Sequence, residues 1–163
     1  MTIQAVTPAI TATATATARS ATGPARQSLT RYLAPCARVL LGLVFFVCGL
    51  DGFLHFLPQP TEPPPEGAMS LAMALIKSGY MFPLIKGTEV TVGALLLANR
   101  LVPLALILIA PVIVNIFAFH AFLAPEGIAL ASALVVLEIY LAWVHRAVYR
   151  PLFALHTAPA ARS

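Results

Sequence analysis

The chain has 163 residues, 60% of them hydrophobic and 10% charged, whereas a soluble globular domain carries about a quarter charged residues; water is therefore not its main solvent. Its formal charge of +4 comes from 10 Lys and Arg against 6 Asp and Glu. No basic run exists, so the excess argues against a nucleic-acid partner and reports membrane orientation instead.

Met1 to about Leu29 holds the alternating Thr-Ala tract from Thr11 to Ala18, followed by Arg19 and Arg26. Without an apolar stretch of signal-peptide length it is expected to be a disordered tail, and the first span is expected to direct insertion. From Cys36 to Leu57 runs a 22-residue apolar segment bounded by Pro35 and Pro58, long enough for a hydrocarbon core of about 30 Å. Its two cysteines, Cys36 and Cys48, are 12 residues apart, about 18 Å along one helix, and cannot pair with each other. The stretch from Pro58 to Gly67 carries two acids and no Lys or Arg, and its prolines forbid a continuous helix.

Ala68 to Tyr80 is apolar but 13 residues long, which predicts an interfacial or re-entrant helix rather than a span. A short second span is expected from Pro83 to Ala98, with Asn99-Arg100 as a tight basic turn. The third span, Leu101 to Leu123, is interrupted only by Asn115 and His120. It has Pro103 in its first turn and Pro111 mid-helix, where the carbonyl of Ile107 loses its usual donor. After Ala124 to Gly127 a fourth span runs to about Val144, followed by His145, Arg146, Tyr149 and Arg150 before Pro151.

The expected fold is all-α, a four-span transmembrane helical bundle with a short interfacial helix before span two. Residues 1–30 form a cytoplasmic tail in this scheme, 31–151 the membrane domain and 152–163 a second cytoplasmic tail. Arg19, Arg26, Arg31 and Arg38 precede span one, Arg100 joins spans two and three, and Arg146, Arg150 and Arg162 follow span four, while the loops Pro58 to Gly67 and Ala124 to Gly127 have no basic residue. An even number of spans with all basic loops on one side places both termini in the cytoplasm. Trp143 and Tyr149 then fall at the inner interface, where amphipathic rings concentrate.

A charge at the centre of a span costs on the order of 2.5 to 3.5 kcal/mol on insertion scales, so each is a functional candidate. Asp51 and His55, at i and i+4, are expected on one face toward the outer end of span one. Lys86 and Glu89, at i and i+3, open span two, and Asn115 and His120 close span three. These six are expected to turn toward a shared site in the outer half of the bundle, with Glu138 near mid-depth below them. Gly42, Gly49, Gly52 and Gly93 are expected to be packing points between helices.

One account of the cluster is structural: Asp51 or Glu89 neutralises Lys86, and His and Asn bond across helices. A second makes it a head-group pocket for a quinone, with His55 or His120 donating to a carbonyl oxygen and Asp51 or Glu89 exchanging its proton. A metal site is disfavoured, since no HxxxH or HxxE spacing occurs and Lys86 would repel a cation. Proton relay through Glu138 would suit a transporter, but no inverted repeat is visible.

The stretches RVLLGLVFFVCGLDGFLHFLP (38–58), SGYMFPLIKGTEVTVGALLLANRLVPLALILIAPVIVNI (78–116) and FHAFLAPEG (119–127) resemble the DoxX-like family of small bacterial membrane proteins. The likeness covers roughly Arg38 to Pro151 and includes the polar residues and turns. It implies a four-helix bundle in the bacterial inner membrane; the name-giving members are associated with oxidation of thiosulfate, electrons passing to quinone. The leading expectation is thus a quinone-facing subunit of an oxidoreductase complex, with lipid and a redox partner subunit as its neighbours and oligomerisation left open. Because the sequence has no flavin, haem or iron–sulfur motif, the partner would have to deliver the electrons. The alternative is a non-catalytic scaffold or assembly factor, and the third a small-solute or proton transporter.

Overall fold

The computed structural model describes residues 24–58 and 62–153; the Thr-Ala tract and the residues after Phe153 lie outside them. Among the described residues all regular structure is helical: α1 Pro24–Leu54, α2 Glu66–Lys77, α3 Met81–Leu97, α4 Val102–Phe122, α5 Ile128–Val144 and the single turn α6 Arg146–Tyr149. Tyr32–Leu54, Val102–Phe122 and Pro125–Val144 are each long and apolar enough to cross a membrane, and the pair α2 and α3, bent by 92°, supplies a fourth crossing when counted together. The chain is a multi-pass membrane protein built as an all-α bundle.

Element bounds follow local chemistry. The third and fourth spans lie within one residue of their expected ends. By contrast α1 begins at Pro24 and runs straight through Pro35, because a proline without its N–H costs a helix one hydrogen bond and need not end it. Residues 24–30, expected as part of the tail over 1–30, belong to α1. At the far end α1 stops at Leu54, three residues early, as His55 turns left-handed with φ 50°. Its N–H returns to the Asp51 carbonyl at 2.8 Å, a common way for a helix to close.

The α3–α4 turn closes similarly. Asn99 is left-handed at φ 55°, and the N–H groups of Asn99 and Arg100 donate back to the carbonyls of Leu96 and Leu95 at 3.1 and 2.9 Å. Two carbonyls that end the helix are thereby satisfied. Between α2 and α3 the corner is made by Gly79, at φ 77°, and by the Ser78 hydroxyl, which donates to the Leu75 carbonyl and accepts the N–H of Met81.

The helices form a ring, α1 against α3, α3 against α4, α4 against α5 and α5 back against α1, with the α1–α3 seam the most extensive. Leu41 and Phe45 of α1, Val92 and Leu96 of α3, Leu106 and Ile109 of α4 and Leu141 of α5 fill its axis. Val114, Val136, Ile139 and Trp143 point outward, as lipid-facing side chains do. The tight seam depends on missing side chains. A Cβ on Gly93 would stand 2.7 Å from Phe46 Cα, and one on Gly49 2.7 Å from Val90 N, so the backbones nearly touch, as helices without a hydrophobic drive between them require.

Arg38 ties the seam at one end, its guanidinium donating to the carbonyls of Leu96 and Leu97 and meeting the negative end of the α3 dipole. Arg100 follows in the next turn, and Tyr149 Oη donates to the Pro103 carbonyl at 3.0 Å. Arg38, Arg100 and Arg146 therefore share one end of the bundle, and α2 with the acidic loop lies at the other.

Gly93→Val should force α1 and α3 apart and cost about 1 to 3 kcal/mol through overpacking. Gly87→Ala on the same helix, where an added Cβ meets nothing within 4 Å, should leave the detergent melting temperature unchanged. Equal melting curves for the two variants would contradict this account of the seam.

Candidate functional site

Of the six polar residues expected to converge, the structure gathers four. Lys86 Nζ lies 2.8 Å from Glu89 Oε2 across one turn of α3 and 3.4 Å from the Cys48 carbonyl of α1. Its aliphatic stem occupies the space a side chain at position 52 would need, so Gly52 is the gap through which Lys86 passes. Glu89 is buried on the α1–α3 seam, beside Gly49. Burying one charge in this setting is tolerable because the other is within hydrogen-bond reach.

Lys86 also lines a cavity of about 350 Å³ between α2, α3 and α4, together with Asn115 and His120. The rest of its wall is apolar: Leu71, Ala72 and Leu75 of α2, Met81, Phe82 and Ile85 of α3, and Pro111, Val112, Ile116 and Phe119 of α4. The α2 wall was not expected as part of any site; its signal was an apolar helix too short to span and fixed by a Gly corner. Pro111 forms part of the wall, at the place where the Ile107 carbonyl is released from the helical ladder.

His120 is held from two sides. Its ring packs edge-on to Phe119 and against the Gly127 backbone, where a Cβ would collide with it. Nδ1 lies 2.9 Å from the Ala124 carbonyl. A carbonyl can only accept, so Nδ1 carries the hydrogen and, in the neutral ring, Nε2 keeps a lone pair.

Asp51 and His55 do not join this group as expected. The i, i+4 argument holds only inside a helix, and α1 ends between them; His55 is exposed. The Asp51 carboxylate instead accepts the Leu57 N–H at 2.7 Å, which makes it a brace for the chain leaving α1. It remains within electrostatic range of Cys48, as do Lys86 and Glu89.

Glu138 lies apart from the Lys86 group, six residues from the end of α5 on the side of the arginines. It lines a separate cavity of about 180 Å³ with Tyr149. The phenol of Tyr149 is pushed above its ordinary pKa by burial and, second, by the Glu138 charge. Nearby, His145 Nδ1 meets the Leu141 carbonyl at 2.9 Å, and Arg146 sits 4.8 Å from the centre of the Trp143 ring. Among the described residues no three His, Cys, Asp or Glu side chains gather closely enough to hold a metal.

No family model, no curated protein and no solved structure matches the chain.

Removing one member of the ion pair tests how much the seam relies on it. Lys86→Met leaves Glu89 buried with no cation, and should cost about 3 to 5 kcal/mol, whereas the double change Lys86→Met with Glu89→Met should recover most of that. Thermal unfolding in detergent reads both, and additive losses would show that the pair is not coupled.

Proposed function

We propose that this chain is a DoxX-like protein of the bacterial inner membrane, with both termini cytoplasmic, that serves as the quinone-facing subunit of an oxidoreductase complex. The observation that carries the reading is the cavity between α2, α3 and α4, in which Lys86, Asn115 and His120 stand on an otherwise apolar wall. A quinone head is a planar ring with a carbonyl at each end of an apolar body, so it asks for hydrogen-bond donors at its edge and apolar contact on its faces. Lys86 and Asn115 supply donors, and Glu89 lies within hydrogen-bond reach of the Lys86 ammonium, so that neither charge stands alone.

His120 serves as the proton group. With Nδ1–H committed to Ala124, the protonated ring gives its Nε2 proton to the oxygen of a quinone as the electrons arrive, and the neutral ring, left with its lone pair at Nε2, takes the next proton from water. The expectation gave proton exchange to Asp51 or Glu89, but Asp51 accepts the Leu57 N–H and Glu89 is paired with Lys86. Electrons come from a partner protein. Support for the family comes from the likeness of the three stretches that carry these residues, and support for the orientation from the arginines that share one end of the bundle.

A scaffold reading has its own support: Lys86 and Glu89 satisfy each other, and Asp51 is occupied by a backbone N–H. The two readings separate experimentally. Titration of purified protein with a short-chain quinone analogue should show saturable binding, weakened about tenfold or more in His120→Ala and in Asn115→Leu, and unchanged in His55→Ala. Absence of saturable binding, or equal affinity in all four proteins, would rule against the quinone pocket. The scaffold reading instead requires activity in cells to fall only as far as melting temperature falls.

A further inference from the structure

We propose that the Glu138 cavity is a second binding site, which takes the ammonium group of a small apolar amine. It does not rest on the quinone reading, because it lies toward the opposite end of the bundle and shares no residue with the outer pocket.

Glu138 is 8% exposed, and its Oε2 is buried with no hydrogen-bond partner among the described residues. Its surroundings contrast with those of Glu89, the other buried acid. Glu89 has an ammonium at 2.8 Å. Around Glu138 the wall is Leu106, Ile107 and Ala110 from α4, Ala142 from α5 and Leu152 beyond α6, with Tyr149 the one other polar side chain. The nearest basic residues on the same stretch are turned elsewhere, His145 onto Leu141 and Arg146 onto Trp143. An ammonium entering the cavity would give Glu138 what Lys86 gives Glu89.

The polar chemistry selects that ligand class. The Tyr149 hydroxyl donates its hydrogen to the Pro103 carbonyl, so its oxygen faces a ligand only as an acceptor. An ionised Glu138 is likewise an acceptor. Two acceptors and no free donor favour a group with several N–H bonds and disfavour carbonyls and anions. Size limits the remainder of the molecule: an apolar cavity of about 150 Å³ accommodates benzene, so the 180 Å³ here admits one aromatic ring or a short alkyl chain. A primary ammonium can come from a free amine or from a phosphatidylethanolamine head group, and the test separates these sources.

Benzylamine binding to the full chain in phosphatidylcholine nanodiscs should be saturable and stronger than that of benzyl alcohol by about tenfold or more, the range of a charge-assisted bond. Glu138→Gln should abolish the difference, Ala110→Phe should fill the cavity and block binding with the carboxyl intact, and His120→Ala should leave affinity unchanged. On the unaltered chain, diisopropylcarbodiimide should add to Glu138 by mass, and benzylamine should protect it. Competition by added phosphatidylethanolamine would assign the lipid head group as the ligand's source, and lack of competition a free amine. The proposal is overturned if binding is not saturable, if Glu138→Gln binds as well as the unaltered chain, or if benzylamine fails to protect Glu138.

Discussion

Hydrocarbon offers helices no gain from hiding apolar surface, so the bundle is held by proximity, and its closest approach is between α1 and α3. Gly49 and Gly93 bring the two backbones almost into contact. Gly52 lets the stem of Lys86 cross the seam, which places its ammonium on Glu89 and the Cys48 carbonyl. The same crossing shields Glu89 from lipid. With α3 fixed against α1 in this way, its other face is free to form the Lys86 pocket with α2 and α4. Packing, charge neutralisation and the shape of the pocket thus follow from a few absent side chains.

The two acids buried in the bundle illustrate opposite solutions to one constraint. Glu89 has a counter-ion supplied by its own helix, and the nearby pocket is rich in donors. Glu138 has a phenol and apolar walls, and its pocket is rich in acceptors. A membrane protein of this size that treats its two carboxyls so differently has two chemically distinct environments, one near each end.

The fold was largely legible because lipid imposes a simple rule on segment length, and because Pro, Gly and Asn mark the breaks. That α2 is too short to span followed from its 12 to 13 residues, and the close-packing role of the glycines from their placement. Pro35 misled, since one lost hydrogen bond does not stop a helix already set on both sides. His55 misled for a subtler reason: no glycine announces the left-handed turn that ends α1, and without knowledge of that ending the i, i+4 spacing from Asp51 suggested a shared face. Lys86, Asn115 and His120 could be grouped by depth alone. The α2 wall could not, because the angle at Gly79 decides which apolar residues of a short helix look inward.

The right angle between α2 and α3 also shapes how the protein sits among lipids. α3 has 17 residues, about 25 Å of helix and some 5 Å less than a typical hydrocarbon thickness, and α2 lies across its end with Met69, Met73 and Ile76 exposed. A helix lying along one leaflet enlarges the molecule's cross-section there and adds nothing to the opposite leaflet. With α2 laid along one leaflet the bundle would be wedge-shaped, and neighbouring acyl chains would shorten or splay to meet it. Membrane that is already thin or bent accommodates such a wedge with less strain, so lipid thickness and curvature would bias where the protein gathers.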